Sequence, residues 1–165
     1  MRIALTDEEM EACCLAGCRR TINALSKRRI GAHGFDRNHE RWQIDVEGVM
    51  TEKAAANALN LPYEPVVGRL DTSEGDIGPG LQVRGTKYHS GSLLVHNSDA
   101  AEDYFILVTG IYGVYDIRGW IQAEYAREGK WWRDYKGRGA FWVPQDVLHP
   151  LCELPVVAIR AKRAA

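Results

Sequence analysis

The chain has 165 residues, of which 45% are hydrophobic and 26% are charged, a composition typical of one soluble globular domain with a sizeable core. Its 21 basic and 22 acidic side chains give a net charge of −1, so no overall positive field attracts nucleic acid. No apolar run reaches the roughly 18 residues of a membrane span, and the N-terminus turns acidic too early for a secretory signal. We therefore expect a cytoplasmic protein without a membrane partner.

The cysteines agree with a reducing compartment and indicate no zinc site. Cys13, Cys14 and Cys18 lie in one short stretch and Cys152 stands near the other end, so no pair has the C-x2-C spacing of a zinc site. Cys14 and Cys18 are one helical turn apart, which leaves a shared metal or redox role conceivable. Because free cysteine usually behaves as a small buried hydrophobe, we interpret these residues as structural.

The first predicted helix runs from residue 6 to about residue 29. Thr6 followed by Glu9 is a capping box, and the acidic residues between them suit the positive end of the helix dipole. Gly31 and Gly34 end the helix. The basic run 27–29 is interpreted as a solvated helix end rather than a phosphate-binding patch.

The second helix is predicted from about residue 42 to residue 59, because its second half, EKAAANALNL, has strong helix propensity. Pro62 and Pro65 end it. Between residues 68 and 86, turn residues surround short strand candidates in which Leu81 and Val83 alternate with polar neighbours.

The strand signals become clear after residue 90. The continuous apolar run YFILVT predicts a central strand that is covered on both faces. The further predicted elements are strands at 92–96, 104–109, 114–121 and 141–144, and a helical turn at 145–148. Two helices followed by several strands indicate an α/β fold, of mixed α+β type, with one sheet.

Aromatic and basic residues alternate in the last third of the chain. We interpret them as core and rim of the fold, with base stacking on a nucleic-acid single strand as the alternative. The residues are Trp120, Trp131, Trp132, Tyr135, Phe141 and Trp142, among Arg127, Lys130, Arg133, Lys136 and Arg138.

Several polar residues are candidates for chemistry. Asp45 and Glu52 lie seven residues apart, close to two helical turns, so they share a helix face from which Glu47 points away. Asp76 follows in a turn-rich stretch, and Gln82 and Arg84 share one face of the next strand. Oxygen ligands of this kind suit a hard divalent cation such as Mg²⁺, which would activate a water for phosphate hydrolysis.

These residues resemble the PD-(D/E)XK nuclease superfamily. The pattern D-x-E-G-x-x-x-E (45–52), then GD (75–76) and QVRGT (82–86), is similar to small phage-encoded proteins of that presumed type, as are LVTG (107–110), GW (119–120) and FWVP (141–144). The resemblance covers residues 42–151. It implies a restriction-endonuclease-like core, a central mixed sheet flanked by helices, at 41–151. An extra N-terminal helix and loop at 1–40 and a tail at 152–165 complete a single domain.

The resemblance also implies roles for individual residues. It implies that Glu52 is the carboxylate on the helix, with Glu47 as its substitute. It also implies that Asp76 is the principal metal ligand and that Gln82 is the second ligand, on the strand. Arg84 occupies the lysine position. The implied cofactor is Mg²⁺ or Mn²⁺, and the implied partner is DNA or RNA in the host cytoplasm.

Lys87 and His89, which follow the motif directly, are two further candidates for substrate binding.

The sequence departs from the family pattern at two positions. Gln82 replaces the usual Glu, which gives a neutral ligand, and Arg84 replaces Lys, which removes a base but keeps a phosphate-binding cation.

Three hypotheses follow from these residues. The first is a metal-dependent nuclease, and the second is an inactive nuclease-fold module that binds nucleic acid or a host protein. The third is an interaction protein that works through its first helix. The alternative to all three is that these residues have structural roles alone. Glu52 would then be an exposed helix charge, Asp76 would form a turn, and Gln82 and Arg84 would lie on the solvent face of a strand. A homo-oligomer is left open.

Overall fold

The computed structural model describes residues 1–26, 38–65, 75–134, 137 and 139–155. Several predictions lie outside these ranges: the basic run 27–29, the glycines expected to end the first helix, the turn-rich stretch 68–74, and residues 135, 136 and 138 of the aromatic stretch. Residues 156–165 of the predicted tail also lie outside. None of the helices within the described ranges has both the length and the apolar character that crossing a membrane requires.

The described residues form helices in the first part of the chain and mostly strands in the second. The helices are α1 (Asp7–Ser26), α2 (Asn38–Ala58) and α3 (Ala123–Ala126). The strands are β1 (Arg2–Ala4), β2 (Leu81–Thr86), β3 (Leu93–Val95), β4 (Tyr104–Ile111), β5 (Val114–Gln122), β6 (Trp132–Asp134) and β7 (Gly139–Val143). Short 3-10 turns lie at Gly129–Trp131, Gln145–Val147 and Leu151–Glu153.

The strands form two sheets. The larger has the order β1-β5-β4-β2, with β2 and β4 parallel and the other pairs antiparallel. The smaller has the order β3-β7-β6 and is antiparallel. The predicted mixed α/β fold with a central mixed sheet is confirmed. The expectation of a single sheet is wrong, because β3 and the late strands pair with one another instead of joining the larger sheet.

The start of α1 follows the predicted capping box. The backbone N–H of Glu9 donates to the Thr6 hydroxyl at 3.2 Å, and the Thr6 N–H donates to the Glu9 carboxylate at 3.0 Å. Two N–H groups that the helix itself leaves without partners are thereby satisfied. α2 begins at Asn38, four residues before the predicted start, and ends one residue before the predicted end.

α1 and α2 cover one face of the larger sheet, and the smaller sheet covers the opposite face. One core cluster joins α1 and α2 to residues such as Val83 and Ile106, and another joins Phe105 and Leu107 to β3 and β7. β4 is therefore covered on both faces, as its apolar run predicts. Gly17 permits the close helix contact, because a Cβ there would lie 2.5 Å from the Cα of Val46 in α2.

Candidate functional site around Glu52 and Asp76

Asp76 lies at the edge of the larger sheet beside β2, its terminal strand. The Asp76 backbone N–H donates to the carbonyl of Leu81 at 2.8 Å, so the segment runs back along the strand. The Asp76 Oδ2 accepts a 2.8 Å hydrogen bond from the backbone N–H of Val83. Asp76 therefore occupies a strand edge that would otherwise present an unpaired backbone N–H.

Glu52 points from α2 toward α1, and only 9% of the residue is exposed. Its two carboxylate oxygens each accept a 2.8 Å hydrogen bond from the Arg20 guanidinium, which forms a bidentate ion pair. The Tyr63 hydroxyl donates to Oε2 of the same carboxylate. The interpretation of Glu52 as an exposed helix charge is wrong, because α1 covers this face of α2.

The carboxylates of Asp76 and Glu52 are close enough to influence each other. Burial raises the pKa of Asp76 above its usual range, and the negative charge of Glu52 raises it further. The hydrogen bond from Val83 and the positive charges of Arg84 and Arg20 act in the opposite direction. The negative charge of Glu52 on α2 therefore influences Asp76 at the edge of β2.

Arg84 extends between two acidic side chains. Its Nη1 lies 3.7 Å from Oδ2 of Asp76, and its Nη2 lies 3.4 Å from Oδ1 of Asp99. The guanidinium also covers the ring of Phe105, at 4.7 Å from the ring centre. A guanidinium held in this way is a fixed positive charge and cannot act as a base.

Gln82 lies on the sheet face opposite α2. Val83 and Gly85 face α2, so strand alternation turns Gln82 and Arg84 toward the smaller sheet. Gln82 is 8% exposed, and its Nε2 donates to Oδ2 of Asp103 at 2.9 Å. The interpretation of these two residues as the solvent face of a strand is therefore wrong for Gln82.

Glu47 supports the turn between β4 and β5. One of its carboxylate oxygens accepts the backbone N–H of Tyr112 at 3.2 Å, and the other accepts the hydroxyl of buried Tyr115 at 2.5 Å. Tyr112 and Gly113 both have positive φ angles, as a tight two-residue hairpin turn requires. Asp45 accepts a 2.6 Å hydrogen bond from Thr21 of α1, so Asp45 and Glu52 share a helix face as expected.

The predicted ligands do not fit a hard divalent cation in this arrangement. Both oxygens of Glu52 face Arg20, and Asp76 lies beside Arg84, so a metal ion would have to displace a guanidinium from each carboxylate. Mg²⁺ and Mn²⁺ need several oxygen ligands around one point. Within the described part of the chain, no group of three or more His, Cys, Asp or Glu side chains is placed to hold a metal ion.

A cleft of about 620 Å³ lies between α2 and the C-terminal ends of the parallel strands β2 and β4. Glu47 and Glu52 contribute to the α2 wall, and Lys87 and Tyr88 contribute to the opposite wall. Crevices beyond the carboxyl ends of parallel strands commonly bind ligands, and this volume lies within the range of small-molecule pockets.

Lys87 and His89, the predicted substrate-binding residues, belong to an exposed loop at 87–91. The backbone N–H of Gly91 donates to the carbonyl of Tyr88 at 2.9 Å. Gln145 donates from Nε2 to the carbonyls of His89 and Gly91, at 2.8 Å in both cases. Tyr88 is 64% exposed, and Lys87 Nζ lies 5.5 Å from its ring centre. Lys87 lines the cleft, whereas His89 does not.

The aromatic stretch divides between core and surface. Trp120, Trp131 and Phe141 are buried, as expected for core residues, whereas Trp142 of β7 is exposed.

The cysteines also divide between core and surface. Burial raises the pKa of the Cys13 thiol to about 12, and Cys152 is exposed, so the interpretation as a buried hydrophobe is wrong for Cys152.

Sequence reasoning missed the two residues that bind Glu52. Arg20 is 32 positions away and Tyr63 is 11 positions away. Arg20 follows Ala16 by four positions and Gly17 by three, so it shares the buried face of α1; a charge on such a face needs a partner, and this is the local signal that could have revealed it.

No protein-family model, no curated protein and no solved structure matches this chain. The relationship to PD-(D/E)XK nucleases therefore remains a prediction that rests on the motif residues.

Proposed function

We propose that this chain is a module that binds single-stranded nucleic acid on a nuclease-like core, without catalysing its hydrolysis. The observation that carries the proposal is the loop 87–91, which presents Lys87, Tyr88 and His89 to solvent, with Lys87 and Tyr88 at the rim of the cleft. A cation beside an exposed aromatic ring is the combination that contacts a phosphate and stacks on a base.

The loop is suited to binding because its shape is held by the rest of the protein. Gln145, which directly follows β7 and Pro144, accounts for two of its hydrogen bonds, and the turn at Tyr88 accounts for another. A loop that is ordered before binding loses less conformational entropy when a ligand arrives. Stacking of a base on an aromatic ring also depends less on the overall charge of the protein than binding by a basic patch does. Such a site is therefore compatible with a net charge of −1.

The arrangement of the predicted catalytic residues supports binding rather than hydrolysis. Arg20 engages both oxygens of Glu52, and Arg84 is a permanent cation beside Asp76. Both carboxylates thus have a guanidinium of the protein beside them. On this proposal Glu52 joins α2 to α1, and Asp76 binds the backbone N–H of Val83 at the edge of β2.

Binding is tested by fluorescence anisotropy of a labelled single-stranded oligonucleotide in EDTA, over a series of salt concentrations. We expect the logarithm of the binding constant to fall linearly with the logarithm of the salt concentration, with a slope of about −0.7 for each phosphate contact. Lys87→Ala should make this slope less steep by the value of about one contact, and it should weaken binding to all sequences alike. The matched control is Lys130→Ala, since the Lys130 side chain is 62% exposed but pairs with Glu128 and covers Trp131, whose ring is buried.

The outcomes separate the alternatives. An unchanged salt slope in Lys87→Ala contradicts the role of the loop, and the absence of binding in every salt condition contradicts the proposed function. Binding that appears only with Mn²⁺, accompanied by cleavage that Asp76→Asn abolishes, would support the nuclease hypothesis instead. Capture of a defined host protein without any oligonucleotide binding would support an interaction module.

A further inference from the structure

Gly48 stands in the interior of α2 without a packing reason. Glycine weakens a helix interior relative to alanine, because the unfolded chain loses more freedom when it is ordered. At Gly17 the reason is the contact with α2. A Cβ at Gly48, by contrast, would meet no atom within 4 Å. Neither a close approach nor a positive φ angle therefore requires glycine at position 48.

Open space at Gly48 belongs to the cleft. Gly48 lines it together with Glu47 and Thr51 of α2, and the Lys87–Tyr88 segment forms the opposite wall. A side chain at position 48 would extend into this volume. The absence of a side chain keeps the cleft open at the cost of helix stability, which is the kind of exchange expected at a binding site.

We infer that the cleft binds one nucleotide whose base carries an exocyclic amino group, as cytosine does; this inference rests on the proposed function. Glu47 supplies the acceptor for that amino group. Its two oxygens each accept one hydrogen bond, from Tyr112 and Tyr115, which fix the carboxylate and leave it further acceptor capacity. A carboxylate that accepts from cytosine N4 is a recognised mode of base recognition.

The rest of the cleft suits the remaining parts of a nucleotide. The apolar side chains of Ile44 and Ile111 and the bare backbone of Gly48 and Gly110 offer a surface for a flat base. Lys87, at the rim, is placed to contact the phosphate. Thymine lacks the amino group and would present a carbonyl oxygen to Glu47, so the site discriminates against it by repulsion between acceptors.

The test compares oligo-dC with oligo-dT by fluorescence anisotropy, for the wild type and for Gly48→Leu. We expect the wild type to prefer oligo-dC by at least about fivefold, the lower limit for one good base contact. Gly48→Leu places a side chain in the cleft next to Glu47 and should reduce oligo-dC affinity to the level of oligo-dT. Gly129→Leu is the matched control, because a Cβ there also meets nothing within 4 Å and Gly129 is absent from the cleft lining.

Folding is checked by thermal melting, in which Gly48→Ala should melt no lower than the wild type. Gly48→Met repeats the obstruction with a flexible side chain if Gly48→Leu does not fold. A wild type without base preference, or a preference that survives Gly48→Leu and Gly48→Met, overturns the cleft as the nucleotide site while oligonucleotide binding stands.

A second arm distinguishes a nucleotide within a strand from a free one. If no oligonucleotide binds, but dCMP raises the melting temperature of the wild type and not of Gly48→Leu, the cleft is a mononucleotide site and the proposed function is wrong. If neither dCMP nor any oligonucleotide has an effect, both the cleft and the proposed function are refuted.

Discussion

The ion pair between Arg20 and Glu52 allows a quantitative test of the idea that Glu52 is structural. In Arg20→Met the apolar stem is kept and the guanidinium is lost, so the Glu52 carboxylate stays buried and, among the described residues, keeps the Tyr63 hydroxyl as its hydrogen-bond donor. Removal of one partner of a buried pair costs about 3–5 kcal/mol. Because the Arg20 side chain is 24% exposed, we expect about 3 kcal/mol, the lower end of that range.

The assay is urea unfolding followed by circular dichroism, with thermal melting as a second measurement. For a chain of this length, about 3 kcal/mol corresponds to a fall in melting temperature of about 6–12 °C. In the double variant Arg20→Met/Glu52→Gln no charge is stranded and Tyr63 keeps an acceptor, so the loss should shrink to about 1–2 kcal/mol. The control is Arg2→Met, whose exposed pair with Asp116 is screened by solvent, so the unfolding midpoint should stay close to that of the wild type.

The reasoning is refuted if Arg20→Met unfolds within about 1 kcal/mol of the wild type, the range of an exposed pair. It is also refuted if the double variant is as unstable as the sum of the two single variants, because the cycle would then reveal no coupling between the side chains.

Three further perturbations have defined outcomes. The raised pKa of Asp76 means that its ionisation costs stability; this cost is absent below the unfolded pKa of about 3.9, develops as pH rises above it, and is complete once pH exceeds the folded pKa. Asp76→Asn should therefore gain stability relative to the wild type from acidic to neutral pH in urea unfolding; a relative loss over that interval contradicts the assigned direction. Thr6→Ala should cost about 1 kcal/mol of unfolding free energy by loss of the helix cap, and an unchanged midpoint would show that the cap contributes nothing. Gln145→Ala should accelerate hydrogen exchange at the Gly91 amide and weaken oligonucleotide binding by about fivefold, the loss of about 1 kcal/mol; unchanged exchange and affinity would show that Gln145 does not order the loop.

The features that sequence predicts well depend on near neighbours along the chain. The capping box at Thr6 and Glu9 spans three residues, and the apolar run of β4 needs no knowledge of its partners. Both are confirmed. The resemblance predicts Glu52 and Asp76 as ligands of one metal ion; the negative charge of Glu52 raises the pKa of Asp76, and a shared role as ligands stays a prediction.

The features that sequence missed depend on distant parts of the chain. β1 has only three residues and is a strand because it pairs with β5, more than a hundred positions later. The smaller sheet exists because β3 pairs with β7, which no local pattern specifies. Alternation correctly placed Gln82 and Arg84 on one face of β2. It does not reveal that the smaller sheet covers this face.

The same limit applies to the candidate site. Residue types and spacing indicated carboxylates suited to a metal ion, but they carry no information on which cations approach them. Arg20 comes from a helix that the resemblance places outside the nuclease-like core, and it is the residue that most changes the interpretation of Glu52. Charge partners of buried carboxylates are tertiary features, so they emerge only once the packing of α1 on α2 is known.

The most direct test of nucleic-acid binding without catalysis is one anisotropy titration of a labelled single-stranded oligonucleotide, run in EDTA and in millimolar Mn²⁺ with the oligonucleotide recovered afterwards on a gel. We predict that Mn²⁺ does not raise the affinity, that the oligonucleotide stays intact, and that binding survives Asp76→Asn. Binding that requires Mn²⁺, depends on Asp76 and leaves a shortened oligonucleotide would contradict the account.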